Sequence, residues 1–101
     1  MRISAARDLI HAEYGRSISL DELARAAYIS KFEFIRVFKQ VHGVTPHAYL
    51  RTVRLDAAGA LLRDTDLSVA QVARRCGFQA VSHFCTAYAT NFGRAPGAER
   101  S

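Results

Sequence analysis

One pattern occurs twice in this sequence, about fifty residues apart, and it constrains the fold more than any other feature. The two copies, which we call the first and second motifs, span residues 19–49 and 68–99. The opening segments align at an offset of 49 residues, which matches Ser19 with Ser68, Leu23 with Val72 and Ala24 with Ala73. The closing segments align at an offset of 50 residues, which matches Phe34 with Phe84, Phe38 with Tyr88, Gly43 with Gly93, and Pro46 with Pro96. The second motif has therefore gained one residue between its two segments.

Each motif predicts a helix, a turn and a second helix. The capping-box spacing S-x-x-E or S-x-x-Q opens each motif, at Ser19 and Glu22 and at Ser68 and Gln71. In such a box the hydroxyl and the longer side chain each bond a free backbone N–H of the helix start. The boxes predict short helices over about residues 20–27 and 69–76. The second helices are predicted over about 31–41 and 80–91, and the glycines expected after their ends are Gly43 and Gly93.

The rest of the chain also shows helical signals and no alternation typical of strands. A helix is predicted over 4–14, and a long helix from Pro46, behind the N-cap Thr45, to about Arg63. Gly59 inside the long helix is expected to allow close packing, and a short final helix is expected near Pro96. The predicted fold is all-α, with about seven helices and two helix-turn-helix subdomains joined by a central helix. The expected boundaries are 1–44, 45–63 and 64–101.

The charge balance favours a nucleic-acid partner. The 101 residues carry a formal net charge of +5, and 12 of the 14 basic residues are arginine, whose planar fork suits phosphates and guanine edges. Two copies of one helical unit on a basic chain indicate a protein that binds two sites along one DNA duplex.

Other functions are disfavoured by what the sequence lacks. Cys76 and Cys85 have no metal-binding spacing, and no catalytic triad, carboxylate pair or phosphate-binding glycine loop is present. We therefore expect no enzyme activity, metal, cofactor or small-molecule site within the chain. Neither a signal peptide nor a membrane span is evident, so a soluble cytoplasmic protein associated with the nucleoid is expected.

These motifs resemble the DNA-binding domain of AraC/XylS-type transcription regulators over nearly the whole chain. The residues that carry the resemblance include Ser19, Leu23, Ala24, Ser30, Phe34, Arg36, Phe38, Lys39, Gly43, Pro46, Tyr49, Leu50, Arg54, Leu55, Ala58, Leu61, Leu62, Val72, Ala73, Cys76, Gly77, Phe78, Phe84, Gly93 and Pro96. The resemblance implies a bacterial regulator whose two second helices enter successive major grooves, about 34 Å apart. It also favours activation over repression. RNA polymerase is a further candidate partner.

The second helix of the first motif offers several candidate DNA contacts, which are Lys31, Phe32, Ile35, Arg36, Lys39 and Gln40. The resemblance places Phe32, Ile35 and Arg36 where family members contact bases, and a bidentate bond from Arg36 to guanine is the strongest expectation. Phe32 is alternatively a partly buried aromatic beside the turn, and Lys39 a solvated cation. Glu33 either accepts from cytosine N4 or is an exposed helix charge.

The second motif is expected to contact DNA through uncharged side chains. Residues 76–93 contain no Asp, Glu, Lys or Arg, although family members often carry basic residues there. The candidate contacts are Gln79, Val81, Ser82, His83 and Thr86. His83 is alternatively a surface residue with no role.

Phosphate contacts are expected from helix starts and from arginines. The expected set is Ser19, Thr45, Arg51, Ser68, Arg74, Arg75 and Arg94. Arg54 matches a family position that implies an internal ion pair instead. A second class of function stays open beside DNA recognition, namely a helical module that binds RNA polymerase or another protein and has weak DNA affinity.

The chain departs from the family at two positions. Tyr28 occupies a turn position where the family often has glycine, so the turn is expected to be strained or rebuilt. Glu99 stands where the family often has tyrosine, so the final helix is expected to pack less well.

Overall fold

A computed structural model describes residues 2–100, and every regular element in that range is helical. The elements are α1 (Ile3–Glu13), α2 (Leu20–Ala26), α3 (Lys31–His42), α4 (Pro46–Asp64), α5 (Val69–Arg75), α6 (Val81–Phe92) and a final 3₁₀ helix (Pro96–Arg100). The all-α prediction is confirmed, and the predicted helix ends agree with the observed ends to within a residue or so. None of the described helices is long and apolar enough to cross a membrane.

The chain forms two compact units, which we call unit 1 and unit 2, divided between Val53 and Arg54. Helix α4 contributes its first turns to unit 1 and its remaining turns to unit 2. Unit 1 therefore contains the first motif's helix pair, and unit 2 contains the second motif's pair.

Each unit buries its own apolar core. The core cluster of unit 1 comprises Ala6, Ile10, Leu23, Ala24, Ala27, Phe34, Phe38 and Leu50. The buried apolar residues of unit 2 include Leu55, Ala58, Leu62, Val72, Ala73, Cys76, Phe78, Phe84, Ala87 and Tyr88. Burial of one such large side chain contributes about 1.5–3 kcal/mol, so each helix pair is held mainly by its apolar face.

A row of tilted rings in contact with one another along α3 is repeated along α6. Along α3, ring centroids lie 5.5 Å apart for Phe34 and Phe38 and 4.3 Å apart for Phe38 and His42. Along α6, the corresponding distances are 5.7 Å for Phe84 and Tyr88 and 4.5 Å for Tyr88 and Phe92. The matched spacing in the sequence therefore corresponds to matched packing.

The two N-terminal caps differ in one bond. At α5, Ser68 accepts from the backbone N–H of Gln71, and the Gln71 side chain accepts from the backbone N–H of Ser68. At α2, Ser19 accepts from the backbone N–H of Glu22, but the Glu22 carboxylate instead accepts from the Arg16 guanidinium. The prediction of a full capping box is confirmed for the second motif and wrong for the first, because an arginine competes for the carboxylate.

The turn between the two helices of each motif has the same hydrogen bonds. The N–H of Tyr28 donates to Arg25 and that of Ile29 to Ala24; likewise Gly77 donates to Arg74 and Phe78 to Ala73. This pair of bonds ends a helix with one residue in the left-handed region. Tyr28 has φ 61° and Gly77 has φ 89°. The turn is therefore not rebuilt, and Tyr28 is the only described residue other than glycine with positive φ.

The residue gained by the second motif lies after this turn. Ser30 is the N-cap of α3 and Ala80 is the N-cap of α6, so the alignment offset changes from 49 to 50 between residue 78 and residue 80. Helices α3 and α6 then end alike, because Gly43 and Gly93 both have φ 77° and both donate to the carbonyl four residues earlier.

Two further features of unit 2 bear on its packing. A Cβ on Gly59 would lie 3.2 Å from the Tyr88 hydroxyl oxygen, which confirms the expected close approach at this glycine. The expectation of a loosely packed final helix is wrong. Glu99 accepts a 2.6 Å hydrogen bond from Tyr88 and a 2.9 Å bond from Arg94 Nε, and only 5% of its side chain is exposed.

Candidate nucleic-acid interface

Helix α3 has one buried face and one exposed, basic face. Phe34, Val37 and Phe38 are buried in unit 1. The exposed residues of α3 are Lys31, Phe32, Arg36, Lys39, Gln40 and Val41. Because the two faces alternate at the helical period, the predicted contact residues other than Ile35 lie together on the solvent side.

The aromatic ring of Phe32 is almost fully in water. It is 84% exposed, so the alternative interpretation of a partly buried aromatic is wrong. Ile35 differs from its neighbours, because it is half-buried and packs against the core of unit 1. Ile35 therefore supports the helix and presents only part of its side chain.

Arg36 is held along the exposed face by two neighbours. Its Nε donates to Glu33 Oε2 at 3.3 Å, its Nη2 donates to Glu33 Oε1, and its Nη1 donates to Gln40 Oε1 at 3.4 Å. The carboxylate raises the pKa of Arg36 through this hydrogen bond and its charge. Lys31 and Lys39 form no ion pair with a described residue.

The corresponding face of α6 is polar but uncharged. Gln79, Ser82, His83 and Thr86 are exposed, and Val81 is half-buried. The rings of His83 and Phe78 pack in a T-shaped arrangement, with their centroids 5.9 Å apart.

The start of α3 has a side-chain N-cap hydrogen bond, and the start of α6 has none. Ser30 accepts from the backbone N–H of Glu33 at 3.3 Å, whereas the N-cap Ala80 provides no side-chain acceptor. The starts of α2, α4 and α5 are capped by the exposed hydroxyls of Ser19, Thr45 and Ser68. These three predicted phosphate contacts therefore already accept one bond from their own helix.

The predicted phosphate-binding arginines fall into two groups. Arg51, Arg74 and Arg75 are exposed. Arg94 donates instead to Glu99, whose carboxylate also lies 3.9 Å from Arg63 Nη1. Arg94 therefore has a carboxylate partner of its own, which reduces its attraction for a phosphate.

Cys76 is buried in unit 2, and Arg54 is half-buried there. Burial lowers the pKa of Arg54 and raises the pKa of the Cys76 thiol to about 11. Cys85 is half-buried, and both cysteines are free. Among residues 2–100, no group of three or more His, Cys, Asp or Glu side chains is arranged to hold a metal ion.

Comparison with known proteins assigns the chain to a family. Residues 23–101 match the family model of a helix-turn-helix domain. The chain belongs to the AraC-type helix-turn-helix family. This family consists of transcription regulators rather than enzymes, in agreement with the sequence-based expectation.

Several curated regulators are similar to this AraC-type domain. It is 36% identical over 81 residues to the probable transcriptional regulator LumQ of Photobacterium leiognathi, covering 80% of this chain and 33% of that protein. It is 38% identical over 80 residues to the regulator CdhR of Pseudomonas aeruginosa, covering 79% and 24%. The chain therefore spans about a quarter to a third of the length of these relatives.

Two solved structures resemble the AraC-type domain over nearly its full length. The DNA-binding domain of the global transcriptional factor AdpA, solved in complex with a target DNA, has a TM-score of 0.92 at 30% identity, covering 97% of this chain and 88% of that chain. An AraC-type regulator from Chromobacterium violaceum has a TM-score of 0.92 at 32% identity, covering 98% and 88%.

Sequence reasoning missed two ion pairs of this AraC-type domain. The i,i+3 spacing of Glu33 and Arg36 is typical of a helical ion pair, but the sequence analysis interprets Glu33 only as a contact to cytosine or an exposed charge. The pair between Arg94 and Glu99 had no such periodic signal, because it joins α6's end to the final 3₁₀ helix.

Proposed function

We propose that this AraC-type domain binds duplex DNA in a sequence-specific manner and regulates transcription, with α3 and α6 each entering a major groove. The observation that carries the proposal is the exposed face of α3, which presents cations and an aromatic ring while its other face is buried. The solved AdpA domain, whose fold matches this chain, is bound to a target DNA.

Helix α3 supplies the charged part of the recognition. Arg36 reads guanine through a bidentate bond to O6 and N7, and Phe32 packs against a thymine methyl group. Lys31 and Lys39 have no carboxylate partner among the described residues, and they are placed to neutralise phosphates.

Helix α6 and the residues just before it contact DNA through uncharged side chains. Gln79, Ser82, His83 and Thr86 are exposed donors or acceptors, and Val81 offers a partly exposed apolar contact. Because α6 carries no formal charge, its affinity depends on fit to base edges and on the exposed cations that precede it, Arg74 and Arg75. Arg51 adds a phosphate contact from α4.

The remaining parts of the proposal concern the wider protein. Relatives three to four times longer match this domain over part of their length, and the proposal assigns neither effector binding nor self-association to the present chain. The family resemblance favours activation by a bacterial regulator. RNA polymerase as a further partner and a location at the nucleoid in the cytoplasm are also part of the proposal.

A selection from random duplex DNA, followed by mobility shift, tests the proposal. We expect one sequence to be enriched and bound at least about 10³-fold more tightly than random DNA. Arg36→Ala is expected to weaken binding to it about 5- to 150-fold, whereas Arg7→Ala, which removes the same charge from an exposed position of α1, leaves binding unchanged. If no sequence is enriched and random DNA binds as well as any other, the alternative of a protein-binding module is favoured.

A further inference from the structure

We infer that Glu33 is a positioning residue for Arg36 and that it sets how strictly this AraC-type domain requires guanine. The inference rests on the proposed function, because it assumes that α3 lies in a major groove. It adds a role for a side chain that is not itself required to touch DNA.

The carboxylate of Glu33 occupies one particular edge of the guanidinium. Oε2 accepts from Nε at 3.3 Å and Oε1 accepts from Nη2. A guanidinium has five N–H donors in a fixed plane. Two of them are directed at Glu33, so the orientation of this plane is set by the carboxylate.

The other edge of the guanidinium remains suited to a base. One N–H of Nη1 makes a long bond of 3.4 Å to Gln40 Oε1, and each terminal nitrogen has a further N–H. A pair of parallel N–H groups matches guanine, which presents the two acceptors O6 and N7 in the major groove, whereas cytosine presents a donor there. Glu33 therefore leaves Arg36 with donors that suit guanine.

The same contact reduces the attraction of Arg36 for phosphates. The side chains of Arg36 and Glu33 are 56% and 44% exposed, and an exposed ion pair of this kind adds little to folding stability. Its main effect is to place a negative charge beside the one arginine of α3. A phosphate is attracted less strongly to this arginine than to a cation without a carboxylate partner. The affinity for random DNA is therefore lower.

Charge and orientation can be separated by two substitutions. Glu33→Gln has nearly the same shape but lacks the charge, and Glu33→Asp keeps the charge but is too short to reach both Nε and Nη2 in the same way. The matched control is Glu13→Gln, since Glu13 also pairs with an arginine three residues later, at 3.7 Å to Arg16 Nε. Circular dichroism verifies that all variants remain helical.

The experiment uses the DNA site selected by the wild-type chain and its single-base variants. The position read by Arg36 is the one at which Arg36→Ala loses its base preference. At that position we expect Glu33→Gln and Glu33→Asp to lower the preference for guanine at least about fivefold, out of a full range of about 5- to 150-fold. Only Glu33→Gln is expected to tighten binding to random DNA and to give a steeper salt slope than the wild-type chain, because Arg36 then attracts a phosphate more strongly.

Three results overturn the inference in distinguishable ways. If Glu33→Gln behaves like Glu13→Gln while the wild-type chain still selects a site, Glu33 has no positioning role. If Glu33→Gln alters a preference for cytosine at another position and leaves the guanine preference intact, Glu33 contacts DNA itself. A wild-type chain that selects no site overturns the proposed function, and the inference with it.

Discussion

The first and second motifs share their interior and differ on their surface. Both bury two aromatic rings four residues apart, at Phe34 and Phe38 and at Phe84 and Tyr88, and both end the second helix at a glycine with φ 77°. Their exposed faces have no such agreement. Helix α3 carries Lys31, Glu33, Arg36 and Lys39, whereas α6 carries no formal charge.

This difference shows that the helix-turn-helix unit constrains only the side chains that hold it together. Core packing fixes which face of each second helix is buried, and it leaves the chemistry of the other face open. Two units with one interior can therefore make unequal contributions to binding, one through charge and one through the fit of uncharged groups.

The largest expected effect tests whether the two interiors are equivalent. Phe34→Ala and Phe84→Ala each remove a ring that is 0% exposed, and each should lower the free energy of unfolding by about 3–5 kcal/mol. Urea denaturation followed by NMR reports unit 1 and unit 2 separately. Phe32→Ala is the control, because its ring is 84% exposed and its loss should cost less than about 0.5 kcal/mol. A large loss from only one of the two core variants would show that the interiors differ.

A smaller effect is expected at the one turn position where the motifs differ in backbone strain. Tyr28 has φ 61° and is 72% exposed, so its ring recovers little of the cost of the left-handed conformation. Tyr28→Gly should raise the free energy of unfolding by about 1 kcal/mol, and Gly77→Ala should lower it by about 1–2 kcal/mol. Thermal unfolding measures both changes. Stabilisation by Gly77→Ala would contradict the equivalence of the two turns.

The smallest expected effect is a dependence of stability on pH in unit 2. The hydrogen bonds from Arg94 and Tyr88 lower the pKa of Glu99 below its ordinary value. The unfolded chain therefore takes up a proton at higher pH than the folded chain, so this stabilisation is present above about pH 5 and is lost as the pH falls through the lowered pKa. Comparison of denaturation midpoints at pH 7 and pH 3.5 should show a larger decrease for the wild-type chain than for Glu99→Gln. Equal decreases would mean that the carboxylate does not stabilise the fold.

Most of the helical framework was predictable because its signals are local. The capping serines, the terminal glycines and the apolar period placed the helices to within a residue or so, and Gly59 was expected to allow the close approach that Tyr88 makes. The strain at Tyr28 also followed from a local rule, since the turn needs a residue with positive φ.

The partner that each carboxylate pairs with was not predictable in the same way. The first capping box fails because Glu22 pairs with Arg16, and the final helix packs well because Glu99 meets Arg94 and Tyr88. Each outcome depends on which of several partners a carboxylate reaches in three dimensions. The same holds for Glu33, whose spacing from Arg36 indicated a pair without showing which edge of the guanidinium it would take.

The salt dependence of DNA binding tests most directly the claim that the two motifs contribute unequally. The logarithm of the binding constant for the selected site is measured against the logarithm of salt concentration for the wild-type chain, Arg36→Ala and His83→Ala. Arg36→Ala should reduce the slope, by at most about 0.9, because α3 loses a positive charge that Glu33 only partly offsets. His83→Ala should weaken binding while the slope stays at its wild-type value. Equal losses of slope in the two variants would contradict the account.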